Sequence, residues 1–293
     1  MRRKTRSGRA RIDEKILDGF LTKETSFLAA EEVKALVGTM RITVEELINQ
    51  LLPWVAERAV APLSRFKVGA ICRGNSGNLY FGANIEFTGQ SLKSTIHAEQ
   101  AALANALSKN ESGIRALAVT APPCGHCRQF LNELNTADSL RIYLPGKEAV
   151  QLHDLLPVSF GPADLEIKNR LMDDQTHGLS LENIEQDELI CRALDAANKS
   201  YAPYSKAFAG VAIQTENGQI FTGLYVENAA YNPSLLPLQA ALANLIMAGR
   251  QFPEIQKVVL VQSKQPRLDH DISAQTLLKS ISPVPLSVCD ATE

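Results

Sequence analysis

His97, Glu99, Cys124 and Cys127 are the residues of this 293-residue chain best suited to do chemistry together. One imidazole and two thiolates are donors that zinc takes in tetrahedral sites. Three protein ligands is the count of a catalytic zinc, which leaves its fourth position to water. A closed structural site needs a fourth side chain, and none stands at suitable spacing. Cys72 falls inside a predicted strand, and Cys191 and Cys289 lie in the other half of the chain. Glu99 is the carboxylate left over. Zinc lowers the pKa of its water to about 7, and a carboxylate beside that water can take its proton and pass it on. The set predicts hydrolysis by an activated water with Glu99 as proton shuttle. A pair of buried thiols, or a structural zinc, leaves Glu99 and Pro123 without a purpose. His126 reads as a solvated loop residue rather than a fourth ligand, and His153, His177 and His270 as surface or satisfied histidines.

The spacing says what must position them. Cys124 and Cys127, three apart, share one face at the start of a helix. His97 and Glu99 are two apart, which inside a helix splays them by about 200°. They converge only in the first turn of a helix over about 96–108, with Ser94 or Thr95 available as its cap. Two helix N-termini aimed at one ion also favour thiolates, because the positive end of the dipole lowers a cysteine pKa.

Residues 13–60 read as mostly helical. Thr43 can cap a helix carrying Val44, Leu47, Ile48 and Leu51 at helical spacing. Pro53 either kinks it or starts a new turn. Runs 67–73 and 78–84 read as a hairpin turned by Gly74-Asn75-Ser76-Gly77. A strand at 116–121, a helix from Cys124 and a strand at 140–144 complete a β-β-α-β-α-β order, which suggests a sheet covered by helices. The second half repeats the plan at an offset of roughly 140 residues. Ala61-Pro62-Leu63-Ser64 recurs as Ala202-Pro203-Tyr204-Ser205, and Gln100-Ala101-Ala102-Leu103-Ala104-Asn105 recurs letter for letter at 239–244. The hairpin recurs at 211–215 and 219–226 through Asn217-Gly218. Two homologous domains joined by a polar connection around 164–186 are expected.

Composition narrows the partners. A net charge of −2 and an aromatic content of 6% offer neither a basic groove nor a stacking platform, which argues against nucleic acid. No run of 18 apolar residues exists, so no membrane span is expected. Five cysteines, an odd number, make a disulfide framework unlikely in so large a chain and favour a reducing, cytoplasmic setting. The basic N-terminus is followed by Ile12-Asp13-Glu14-Lys15 instead of an apolar stretch, so it reads as a solvated tail and not a signal peptide.

His97-Ala98-Glu99-Gln100 and Pro123-Cys124-Gly125-His126-Cys127-Arg128-Gln129-Phe130 resemble the long, two-domain zinc-dependent cytidine deaminases of bacteria. Phe66-Lys67-Val68-Gly69-Ala70, Gly82-Ala83-Asn84-Ile85-Glu86, Phe160-Gly161-Pro162 and Leu165-Glu166-Ile167 extend the likeness, which spans roughly 51–260. The resemblance implies an α/β fold of two tandem cytidine-deaminase-like domains, each a mixed β-sheet sandwiched by helices, after an N-terminal helical segment. The corresponding boundaries are 1–42, 43–163 for the catalytic domain, 164–182 for a linker and 183–293 for a non-catalytic repeat. It implies deamination of cytidine and 2′-deoxycytidine to uridine and 2′-deoxyuridine, in pyrimidine salvage, with one Zn2+ per chain. Asn84 and Glu86 would bind the ribose 3′-hydroxyl, Phe66 would pack on the pyrimidine, and Ala98 would contact substrate. Phe160 would close the site of a partner subunit in a homodimer. The second domain departs from the pattern. Leu236-Pro237-Leu238-Gln239 stands where His97 and Glu99 have counterparts, no cysteine pair follows 258–262, and Tyr225 replaces Asn84 while Glu227 is kept. That domain is expected to bind no metal and to complete the neighbouring catalytic pocket.

Overall fold

The computed structural model describes residues 19–182, 187–264 and 268–292; the basic tail lies outside them. The first sheet is built from β1 (Phe27–Leu28), β2 (Gly69–Gly74), β3 (Leu79–Ala83), β4 (Ile114–Val119), β5 (Arg141–Tyr143) and β6 (Val150–Gln151), in the order β1-β3-β2-β4-β5-β6. β2 and β3 form the expected hairpin, β4 runs antiparallel to β2, and β5 runs parallel to β4. The second sheet holds β7 (Ala209–Thr215), β8 (Ile220–Leu224), β9 (Ile255–Ser263) and β10 (Leu286–Ala291), in the order β10-β9-β7-β8. Its hairpin, and its parallel β9–β10 pair, reproduce the four central strands of the first sheet, while β1 and β6 have no counterpart in it.

The segment before the catalytic motif departs from expectation in one place. It holds α1 (Ala30–Met40) and α2 (Val44–Ala56), but Phe27–Leu28 is a strand that pairs with β3 and extends the first sheet. Leu28 is fully buried there, so the N-terminal segment is part of the first domain's core. Thr43 does cap α2: its side chain accepts from Glu46 N while the Glu46 carboxylate accepts from Thr43 N, a reciprocal arrangement worth about 1 kcal/mol. Pro53 sits inside α2 without ending it. Leu47, Leu51 and Val55 of α2 pack with Leu36 of α1 against Ile71, Phe81 and Ala118 on one face of the sheet. Each such side chain contributes roughly 1.5–3 kcal/mol on burial.

The other face carries α3 (Ala98–Ser108), and the second sheet carries α7 (Pro237–Met247) in the same place. Both helices are buried on nearly every side, and they pack against each other across the domain boundary. Their alanines let backbones approach closely, and glycines on the strands below complete the fit. A Cβ on Gly82 would lie 2.1 Å from Ala102 N, and one on Gly223 would lie 2.1 Å from Ala241 N. α4 (Gly125–Leu131) and α5 (Leu152–Leu155) belong to the first domain, α6 (Glu188–Asn198) and α8 (Asp271–Lys279) to the second. The connecting segment is less open than its composition suggests. Leu171, Met172 and Leu179 are buried, Leu171 N donates to Glu133 O, and Ser180 bridges to Thr292.

Candidate active site

α3 and α4 bring the chemistry-bearing residues together. His97 occupies the N-cap position of α3, and its own N–H donates to Gln100 Oε1 at 3.2 Å. The cap therefore comes from Gln100 reaching back, not from Ser94 or Thr95, which belong to a separate short turn capped by Ser91. Because the helix begins after His97, the imidazole and the Glu99 side chain can both look past its end. Cys124 occupies the N-cap position of α4, and Cys127 lies within its first turn.

His97 Nδ1 is 3.5 Å from Cys124 Sγ and 3.2 Å from Cys127 Sγ. The three donor atoms lie within 4.8 Å of one another, the one such metal-ligating group among the described residues. Cys127 is fully buried, while Cys124 is exposed. Hydrogen bonds from Cys127 and His97 pull the Cys124 thiol down to about 3. The Cys127 thiol is pushed up by its bond to Cys124 and by burial. Both sulfurs would ligate a divalent cation as thiolates, so its binding would release whatever protons they hold. Two sulfurs and an imidazole at this separation fit a zinc ion.

Glu99 is only 4% exposed. Burial raises its pKa above the usual carboxylate range, partly offset by its own backbone N–H, by His97 and by Cys127. A carboxyl raised in this way is better matched to exchanging protons near neutral pH than an exposed one.

The other expected site residues divide into buried and exposed sets. Asn84 and Glu86 lie just past the end of β3, both nearly buried. Asn84 Oδ1 accepts from Val68 N and its amide donates to Phe66 O, so it shapes the Phe66 loop. Glu86 accepts from Leu63 N, Ser64 N and the Ser64 hydroxyl. Burial opposes the Glu86 charge, but those bonds outweigh it and hold its pKa low. Ala98 is buried at the start of α3. Phe66 is 60% exposed and Phe160 47% exposed, so neither ring is a core aromatic of this chain.

Several site features were not expected. His126 is no free loop residue: its Nε2 lies 3.1 Å from Asn232 O in the second domain, and its ring tilts against His97. Asn228 Nδ2 donates to Gln129 O on α4. Gln100 Nε2 donates to Pro233 O, and Gln239 Nε2 donates to Ser94 O. These last two bonds are reciprocal. Each helix's glutamine caps its own N-terminus and then ties down the other domain's preceding loop. The exact recurrence of Gln-Ala-Ala-Leu-Ala-Asn was the available signal for this contact. His270 is also no surface residue. It is 2% exposed, its Nε2 donates to Ala207 O, and its Nδ1 has no hydrogen-bond partner among the described residues.

Residues 43–141 and 152–275 each match a model of the cytidine and deoxycytidylate deaminase zinc-binding region. A cytidine deaminase of Photobacterium profundum is 48% identical over 261 residues, covering 89% of this chain and 88% of that one. Cytidine deaminases of Pectobacterium atrosepticum (48% over 256 residues; 87% and 86% covered) and Vibrio vulnificus (46% over 261; 89% and 88%) match over nearly the same length. Matched in both halves by the deaminase zinc-binding region and along nearly its whole length by cytidine deaminases, this chain belongs to the cytidine deaminase family.

Proposed function

We propose that the chain converts cytidine to uridine, and 2′-deoxycytidine to 2′-deoxyuridine, consuming water and releasing ammonia. The observation that carries this reading is the convergence of three soft donors within 4.8 Å, with buried Glu99 two residues after His97 in the first turn of α3. His97, Cys124 and Cys127 would hold one zinc ion. Bound there, zinc supplies the Lewis acidity that makes water nucleophilic at neutral pH. Glu99 takes one proton from the attacking water and passes it to the ring nitrogen of the base; it then takes the second proton from the newly bonded hydroxyl and passes it to the exocyclic amine, which leaves as ammonia as the carbonyl forms. Its burial keeps bulk water from competing for those protons.

Asn84 and Glu86 are read as the ribose 3′-hydroxyl subsite. Each already stiffens the 63–68 loop, so a sugar hydroxyl would meet acceptors held at fixed positions. Ala98 is read as lining the pocket at the helix start. Phe66 and Phe160 are read as rings that pack on substrate, Phe160 across a homodimer interface, which their exposure leaves free to do. Residues 43–163 form the catalytic domain in this reading, 164–182 the linker and 183–293 a repeat without metal. Thiolate ligands favour a reducing, cytoplasmic location. Among the described residues no helix is long and apolar enough to cross a membrane.

Incubating the purified chain with cytidine tests the proposal. Uridine and ammonia should appear together, and a chelator should abolish both. Loss of cytidine without ammonia would refute it.

A further inference from the structure

Glu133 is a carboxylate with no role in zinc binding, yet it is completely buried. It lies two residues beyond α4, the helix that carries Cys127. Its Oε1 accepts from Ala229 N at 2.8 Å, and its Oε2 accepts from the hydroxyls of Tyr201 at 2.9 Å and Tyr204 at 2.8 Å. All three donors belong to the second domain. A buried carboxylate without partners costs several kcal/mol, so three donors converging on one carboxylate make a contact with strict geometry.

Ala229 opens the loop that the second domain lays against the catalytic site. Further along it, Asn232 O meets His126, between the two cysteines, and Pro233 O accepts from Gln100, next to Glu99. On the near side, Asn228 exchanges bonds with Gln129, and Gln129 Nε2 also donates to Phe160 O. Asn132 donates to the same carbonyl, and Arg170 donates to Asn132 O. Glu133 therefore sits where α4, the Phe160 segment and the 228–234 loop meet. Remove its carboxylate and Ala229 N loses its acceptor among the described residues, while the other ties hold one end of the loop each.

We propose that Glu133 is a positioning residue for the deamination: it locks the 228–234 loop of the second domain over the catalytic pocket and so sets the affinity for the nucleoside. It touches neither the metal ligands nor Glu99, so the chemical step is spared. This rests on the cytidine deaminase reading, and it assigns the metal-free domain a specific task in that reaction.

The test uses the zinc-loaded full chain and its Glu133→Ala variant, with cytidine turnover, zinc content and thermal midpoint measured on both. Wild-type turnover must be present first; its absence would count against the deaminase reading and not against Glu133. KM should rise roughly tenfold, the size expected for losing one charge-assisted bond at the loop, with kcat within threefold and zinc per chain unchanged. A wild-type KM, or a fall in kcat together with zinc while KM holds, overturns the proposal. Should Glu133→Ala not fold, Tyr204→Phe decides, since it deletes one hydroxyl at a half-buried position. A KM raised about two- to threefold supports the assignment, and an unchanged KM overturns it.

Discussion

The two domains share a scaffold and differ in what they mount on it. In the first, His97 precedes α3, and Cys124 and Cys127 open α4. In the second, Leu236 precedes α7, and His270 and Ser273 open α8. Glu99 has Leu238 as its counterpart. By contrast, the loop-binding carboxylate persists: Glu227 accepts from Tyr204 N and Ser205 N as Glu86 does from Leu63 N and Ser64 N. The glutamine that crosses to the other domain persists as well, and so does the asparagine that ends the shared hexapeptide. Asn105 donates to Phe81 O, and Asn244 donates to Thr222 O. What both halves keep is scaffold, including the glutamine pair that ties one to the other; what only one keeps is the cluster of imidazole and thiols.

Glu99→Gln should separate these layers most sharply. Zinc content should stay at the wild-type value while kcat falls about 10²–10⁴-fold, the contribution of a positioned acid–base group. An active Glu99→Gln chain would remove the proton shuttle from the account. The equivalent change in the second domain, Leu238→Gln, should leave kcat within a few-fold of wild type.

A smaller effect is expected from the glycines that both domains need. Gly82→Ala and Gly223→Ala each force a Cβ to within 2.1 Å of a helix backbone nitrogen. Overpacking of this kind costs about 1–3 kcal/mol or more. Denaturant unfolding should show both variants destabilised to a similar degree. If only Gly82→Ala is destabilised, the second domain packs its helix differently from the first.

The smallest prediction concerns His270, which stands where the first domain has Cys124. Burial holds its imidazole below the ordinary histidine value, despite the Ala207 carbonyl and Asp269. Below about pH 6.5 the unfolded chain takes up a proton that the folded chain refuses. Stability should therefore be intact above that pH and decline as pH falls through it, by at most about 1.4 kcal/mol per unit. His270→Gln should flatten this part of the profile of melting temperature against pH. An unchanged slope would assign the acid sensitivity to other groups.

The cluster of His97, Cys124 and Cys127 was legible in the sequence because metal binding demands particular residue types at particular spacings. The duplicated hairpins and helices were legible for a similar reason: turn residues and periodicity are local. What was hidden depends on contacts between distant segments. Phe27–Leu28 reads as part of a helical region, and only pairing with Tyr80 and Leu79 makes it a strand. His126 reads as a solvated loop residue because its partner, Asn232, is 106 positions away. Glu133 carries no motif at all, and its three donors lie 68 to 96 positions further on. The repeat itself was visible, but the reciprocal bonds of Gln100 and Gln239 that explain it were not.

Metal analysis of the purified chain beside its His97→Ala and Cys127→Ser variants tests the division of labour most directly. One zinc per wild-type chain and almost none in either variant is the expected result. A ratio near two, or a variant that keeps its zinc, would mean that the metal is held somewhere other than the junction of α3 and α4.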